Sequence, residues 1–302
     1  MSLQFLADGL IAGALIGLGA IGVTLTYTIL RFANFAHGEF VTVGAYAGLA
    51  LLAPIAALAG GAMAWKPLSF GWPLALAAVG GMAVAALLAV ALDALLFSRL
   101  RERGGTIVVV MASFGASMAL RALVEFTFTS SPTYFSRAIQ IAMPIGLGIR
   151  VTPDQIALLA ATAVLVVAVH LALTRTQTGR AMRAVSQNPA LARVVGIDVA
   201  TVVRITWIAG GALAGAAGIA GGLLVQIRPT MGFDLLLPLF SAAILGGIGS
   251  VPGAVAGGLI VGLAEAATVQ FVGAEWRAGV AFVLLVAVLL VRPTGLFGKG
   301  EA

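Results

Sequence analysis

The sequence predicts an all-α integral membrane protein: a polytopic helical bundle of about eight to nine membrane segments, some of them short or broken. Three observations carry that prediction. Of the 302 residues, 61% are hydrophobic and only 9% charged, with a mean hydropathy of +1.11, whereas soluble domains carry about 25% charge. The apolar stretches run ~15–27 residues, near the ~20 that cross a bilayer as a helix. The ~10-residue alternation of polarity that marks membrane-barrel strands is absent.

Apolar spans fall at 5–30, 40–60, 74–97, 106–127, 154–173, 199–227, 235–248, 254–272 and 278–292. The first is preceded by no Lys or Arg and carries Asp8 near its start, so it does not read as a cleavable signal and is expected to stay in the mature protein. Gly9, Gly13 and Gly17 form a four-residue ladder on it; Gly211 with Gly215, Gly218 with Gly222, and Gly258 with Gly262 repeat the spacing. Such ladders let helix backbones approach closely in lipid, either within the chain or against a partner subunit.

Between the first two spans lies Arg31-Phe32-Ala33-Asn34-Phe35-Ala36-His37-Gly38-Glu39, followed by Gly44. Polar groups with almost no loop length have two readings. One is a discontinuous helix on a transport path, with a partner break at Gly246 to Gly253 that includes Gly249. The other is a tight turn capped by Asn34, with Arg31 as a lipid anchor.

The third span ends at Asp93 and the Arg99, Arg101 and Arg103 cluster, where the acid is expected to be structural. On the fourth, Arg121 and Glu125 stand four apart and are expected to pair near the end of the helix, or to act as a gate or substrate contact. Glu265, isolated within the eighth span, is either capped by neighbouring helix ends or faces a wet cavity. The seventh and eighth spans are two thin crossings or a broken re-entrant pair.

The one long polar insertion, 174–198, follows the fifth span. It holds Arg175, Arg180, Arg183 and Arg193 against a single acid, Asp198. Asn188 before Pro189 reads as N-cap and N1. The pair predicts a short helix through Ala190, Leu191, Ala192, Arg193, Val194 and Val195, with Gly196 as its stop and Asp198 capping the next helix. By the positive-inside rule this insertion, the Arg99–Arg103 cluster and the C-terminal Arg292 and Lys299 lie in the cytoplasm. The rule holds for all three if 235–272 crosses twice, with the N-terminus outside. Trp65, Trp72, Tyr134 and Trp276 then fall in outer loops.

No internal repeat of 20–50 residues and no Pro- or Ser-rich linker is visible, so residues 1–302 are expected to form a single transmembrane domain. Cysteine is absent. There is no Walker loop, nucleophile elbow or zinc spacing, so no catalytic residue, metal site or cofactor is expected in this chain, and the basic charge points to anionic lipid and not to nucleic acid. Asn188-Pro189-Ala190 matches the tripeptide that aquaporins use twice; here it occurs once, inside the basic insertion, which argues against a water channel. A stand-alone secondary transporter or channel is the alternative class, with Glu39 and Glu265 as its candidate ion-coupling carboxylates.

Three stretches together resemble the permease subunit of branched-chain amino-acid ABC importers, the LivH-like family. They are Asn34 to Glu39 with Gly44; Gly179-Arg180-Ala181-Met182-Arg183-Ala184-Val185 through Asn188, Ala192, Gly196-Ile197 and Asp198; and Gly246 to Ala254. The resemblance covers nearly the whole chain in order. It implies a multi-pass subunit of the bacterial inner membrane, and a second, related permease beside it. It also implies two cytoplasmic ATPase subunits that bind ATP and Mg, and a periplasmic substrate-binding protein. The family's coupling helix maps onto Asn188 to Val195, flanked by Arg180, Arg183 and Arg193. Asn34, His37 and Glu39 match its broken segment. The substrates implied are branched-chain or other small amino acids, or related amides, urea and organic acids.

Overall fold

In a computed structural model, which describes residues 3–61, 64–136, 140–146 and 148–298, the apolar stretches form helices along nearly their whole length. Lys299 lies outside the described residues. Helix α1 (Gln4–Leu30) is apolar all round and buried from Ile16 to Thr26, so it stands at the centre of the bundle. Its glycine ladder explains how. A Cβ at Gly13 would sit 2.7 Å from the Leu259 Cα and 2.9 Å from the Gly258 carbonyl oxygen, both on α11 (Val251–Phe271). Gly9 and Gly17 meet Leu263 and Val255 of the same helix. The ladders therefore serve packing within the chain: two backbones touch where no side chain intervenes.

After α1 the chain turns at Arg31, whose φ is +58°, and runs through 32–36 before α2 (His37–Leu58) begins. The His37 ring lies against Gly19 and Gly22 of α1. Gly19 precedes the end of α1 by eleven residues, ~16 Å of helix, so α2 starts inside the bundle and not at its edge. Helix α3 (Trp72–Leu92) continues through a π-helical turn, Asp93–Phe97, into α4 (Ser98–Arg103), and α5 (Thr106–Phe128) returns. A small antiparallel hairpin, β1 (Met143–Gly146) with β2 (Ile149–Val151), precedes α6 (Pro153–Arg175). Thr152 and Gln155 close a capping box at the start of α6.

The polar insertion folds as α7 (Gln177–Gln187) and α8 (Pro189–Val194). Then follow α9 (Val199–Leu224), α10 (Met231–Gly246), α11 and α12 (Arg277–Val291). Among the described residues eight helices are long and apolar enough to span a membrane, and α10, with 16 residues, is a shorter apolar one. It is short because, like α2, it begins inside the bundle, after an irregular segment at 225–230 that bridges to Thr133 through Ile227.

That likeness is part of a larger one. α1 packs along α11 and α9 packs along α3, Gly17 against Val255 and Gly211 against Ala86. α2 crosses α9 where Gly44 meets Gly215, as α10 crosses α1 where Leu239 meets Gly19. The starts of α2 and α10 touch at Gly38 and Gly232. The last turn of α1 lies beside the first turns of α9, through Ile29 and Val202, so the two run antiparallel. The triplets α1–α2–α3 and α9–α10–α11 are thus two inverted copies of one arrangement. The counterpart of the break at 31–36 is 225–230, not the expected Gly246 to Gly253. The glycines of that stretch make the tight turn between α10 and α11, where Gly246 and Gly253 are in contact and Ser250 caps α11.

The N-terminus and the ends of α2, α5 and α11 share one face, where Phe5 packs edge-on against Phe271. Trp65, Trp72, Tyr134 and Trp276 are exposed there. The insertion lies on the opposite face with the C-terminal residues, whose Leu296 amide donates to the Leu245 carbonyl. This is the arrangement that two crossings over 235–272 require.

Candidate functional site

The residues between α1 and α2 build a buried polar seam. Asn34 Oδ1 accepts the Ala36 amide at 3.1 Å, an Asx turn that leads the chain into α2, while Asn34 Nδ2 has no partner among the described residues. His37 is fully buried; its Nε2 lies 3.2 Å from the Gly19 carbonyl and so carries the proton, and Nδ1 has no partner among the described residues. Glu39 is also fully buried. Its Oε1 accepts from Arg121 Nη2 at 3.0 Å, Arg121 Nε at 3.4 Å and Ser117 Oγ at 3.2 Å. Thr42, one turn on, accepts the Gly232 amide at 3.1 Å and ties the starts of α2 and α10 together.

Arg121 therefore pairs with Glu39, not with Glu125 as its spacing suggested. The α5 face that carries it points at α2, and Glu125, on the same helix, is exposed. The missed signal was legible: Ser113, Ser117 and Arg121 fall four apart and form a polar stripe on an apolar helix. Ser113 Oγ accepts the Phe35 amide at 3.1 Å, so the whole stripe faces the broken segment.

Not every expected residue joins this seam. Gly44 is a packing point, its missing side chain letting α2 touch Gly215. Gly249, at φ +92°, donates its amide to Thr24 Oγ1 at 2.7 Å. Glu265 is buried, yet neither helix ends nor a wet cavity account for it. Its Oε2 accepts from Arg277 Nε at 2.8 Å, an ion pair between α11 and the start of α12. Asp93 binds Arg101 at 2.6 Å, as its place beside the arginine cluster predicts. Among the described residues no three His, Asp or Glu side chains converge.

The insertion is a second site with its own small core. Met182, Val185, Ala192 and Val202 are buried together against Ile29 and Leu173, which seats α7 and α8 on the ends of α1, α6 and α9. Asn188 Oδ1 accepts the Leu191 amide at 3.0 Å, Pro189 is the first helical residue, and Gly196 stops the helix at φ +85°. Asp198 caps α9; the Thr201 hydroxyl, helped by the Ala200 amide, holds its carboxyl below the usual carboxylate range. Leu191, Val194 and Val195 are more than half exposed, with Pro189 and Ala190 also outward and Arg180, Arg183 and Arg193 around them. Helix α7 was not expected from sequence, although Met182 and Val185 mark an apolar face on a polar segment. Arg31 reaches it from the α1 cap, donating to the Ser186 carbonyl.

Known proteins share this chain's length and pattern. The family described as "Branched-chain amino acid transport system / permease component" matches residues 5–289. The high-affinity branched-chain amino acid transport system permease protein LivH of Escherichia coli K12 is 31% identical over 305 residues, covering 99% of this chain and 96% of that protein. BraD of Pseudomonas aeruginosa, with the same description, is 32% identical over 308 residues, again covering 99% and 96%. A probable LivH from Methanocaldococcus jannaschii is 27% identical over 318 residues, with 98% and 92% covered.

Proposed function

The chain belongs to the family of permease components of branched-chain amino acid transport systems, and on that premise we propose that it is the membrane subunit of an ATP-driven importer for branched-chain or other small amino acids. The transporter works by alternating access across the bacterial inner membrane. A second, related permease completes the pore, two cytoplasmic ATPase subunits with ATP and Mg supply the energy, and a periplasmic binding protein delivers the substrate to the N-terminal face. The chain itself carries no hydrolytic chemistry.

One observation supports this reading most: the capped helix α8, seated on its own core and presenting Leu191, Val194 and Val195 outward among arginines. Three exposed aliphatic side chains on a short, rigid, basic element form a plug for a groove in a soluble partner. The same element touches the ends of α1, α6 and α9 through Ile29, Leu173 and Val202. A push on α8 therefore reaches the bundle through packed side chains. It also reaches Arg31, and through it the break that leads to His37 and Glu39.

The test replaces Asn188 to Val195 with a Gly-Ser stretch. Membrane insertion is expected to persist while the ATPase subunits no longer copurify and ATP-driven uptake stops. Undiminished copurification overturns the coupling role of α8.

A further inference from the structure

A groove runs along the bundle between the second half of α6 and the first half of α11. Val167 of α6 lines it with Pro252, Val255 and Ala256 of α11, and His170 is its one polar side chain. Both helices pack on α1, but they meet each other only loosely. The short side chains of Pro252 and Ala256 leave the space between them unfilled. Its volume is about 360 Å³, within the ~300–1,000 Å³ of small-molecule sites.

Depth and charge say what fills it. The α11 stretch that lines the groove, Val251 to Leu259, is ~12 Å of helix rise, close to the ~15 Å of one leaflet of a ~30 Å hydrocarbon core. α11 starts on the face that carries the insertion, so the groove runs from the cytoplasmic surface toward the midplane. Val167 is 56% exposed, and beyond His170 the walls give water nothing to bond. The mouth is basic. His170 offers a ring N–H in every protonation state. One turn on, Arg183 Nη1 donates to the Leu173 carbonyl, which sets its guanidinium at the end of α6, and Arg175 is the last residue of that helix. No acid lies between Asp154 and Asp198, or between Asp234 and Glu265, so neither stretch brings a carboxylate to the mouth. The positive end of the α11 dipole lies at the same level.

We propose that the α6–α11 groove binds an anionic phospholipid of the inner leaflet. One acyl chain lies along Val167, Val255 and Ala256, and the phosphate is held at His170 with Arg175 and Arg183 around it. A zwitterionic lipid brings its own cation to this mouth, which selects against it. The bound lipid braces the end of α6. Leu173 belongs to the core of the insertion and its carbonyl holds Arg183, so the turn that meets the headgroup also seats α7 and α8. The binding is independent of the importer reading; its effect on transport rests on that reading.

The test uses the complex purified from its native membrane and reconstituted in phosphatidylcholine with a trace of phosphatidylglycerol that carries a photoactivatable diazirine in one acyl chain. Crosslinks are expected in the peptides that hold Val167 and Ala256. Unlabelled phosphatidylglycerol is expected to compete about fivefold better than phosphatidylcholine, the weight of one basic group near an anionic lipid. His170→Leu keeps the groove and is expected to remove that advantage. Val167→Trp fills the groove from an exposed position and is expected to abolish the crosslink, whereas Ala168→Trp, exposed on the other side of α6, leaves it in place. Crosslinks spread evenly over the apolar surface, or equal competition by the two lipids, overturn the site. So does an unlabelled α11 in the full complex, which means that a partner subunit covers the groove. In phosphatidylcholine alone, ATP-driven uptake is expected to fall, and phosphatidylglycerol to restore it in the unmodified chain but not in Val167→Trp. Uptake indifferent to phosphatidylglycerol overturns the bracing role, while no uptake in any lipid counts against the importer reading and not against the lipid site.

Discussion

At the scale of single residues, the acids inside the bundle each have a cationic partner: Glu39 pairs with Arg121, Glu265 with Arg277, and Asp93 with Arg101. Sequence pointed to these residues because charge within an apolar span is expensive. It could not name their partners, since Arg121 reaches Glu39 across 82 positions. His37 belongs to the same seam, and His37→Ala is expected to reduce uptake more than it reduces the amount of protein in the membrane; equal loss of both would make it a packing residue only. Glycines divide in the same way. Gly258→Val sets new atoms onto the Gly17 backbone and is expected to cost about 3 kcal/mol or more by overpacking. Gly115→Ala has nothing within 4 Å to meet and is expected to be neutral, or to stabilise by up to ~1 kcal/mol through helix propensity. Thermal unfolding of the two purified variants separates them.

At the scale of elements, local chemistry reads reliably. The Asn188-Pro189 start, the Gly196 stop and the Asp198 cap are contacts within a few residues, so sequence locates α8 and the start of α9 to within a residue. The Asp198 cap also has a pH signature. Its carboxyl is depressed in the folded chain, so the stabilisation is complete above the unfolded value of about 3.9 and is lost as pH falls through the lower folded value. Hydrogen exchange in the first turn of α9 should therefore keep its protection at pH 5 and lose it only under stronger acid, and Asp198→Asn should abolish that dependence. The broken elements were harder. Polar residues announced the break at 31–36, and Gln226, Arg228, Pro229 and Thr230 mark its counterpart, but the dense glycines of 246–253 drew attention to what is a simple turn.

At the scale of the whole molecule, two inverted triplets meet where Gly38 touches Gly232, beside Glu39. An inverted pair of this kind offers two similar packings that exchange access between faces. The insertion is attached to both triplets: Arg31 and Ile29 join it to the end of α1, and Val202 to the start of α9. Sequence by itself determined that this is a helical membrane protein, where most spans lie, which face gathers the arginines, and which short helix stands out from that face. Composition, span length and capping are local quantities, each legible within one or two dozen residues. Only the tertiary structure decided that the glycine ladders bind α1 to α11, that Arg121 belongs to Glu39, and that two halves with no visible repeat share one arrangement. Those facts depend on backbone approach between helices far apart in the chain, and apolar helices of similar composition carry no local mark of which partner they will meet.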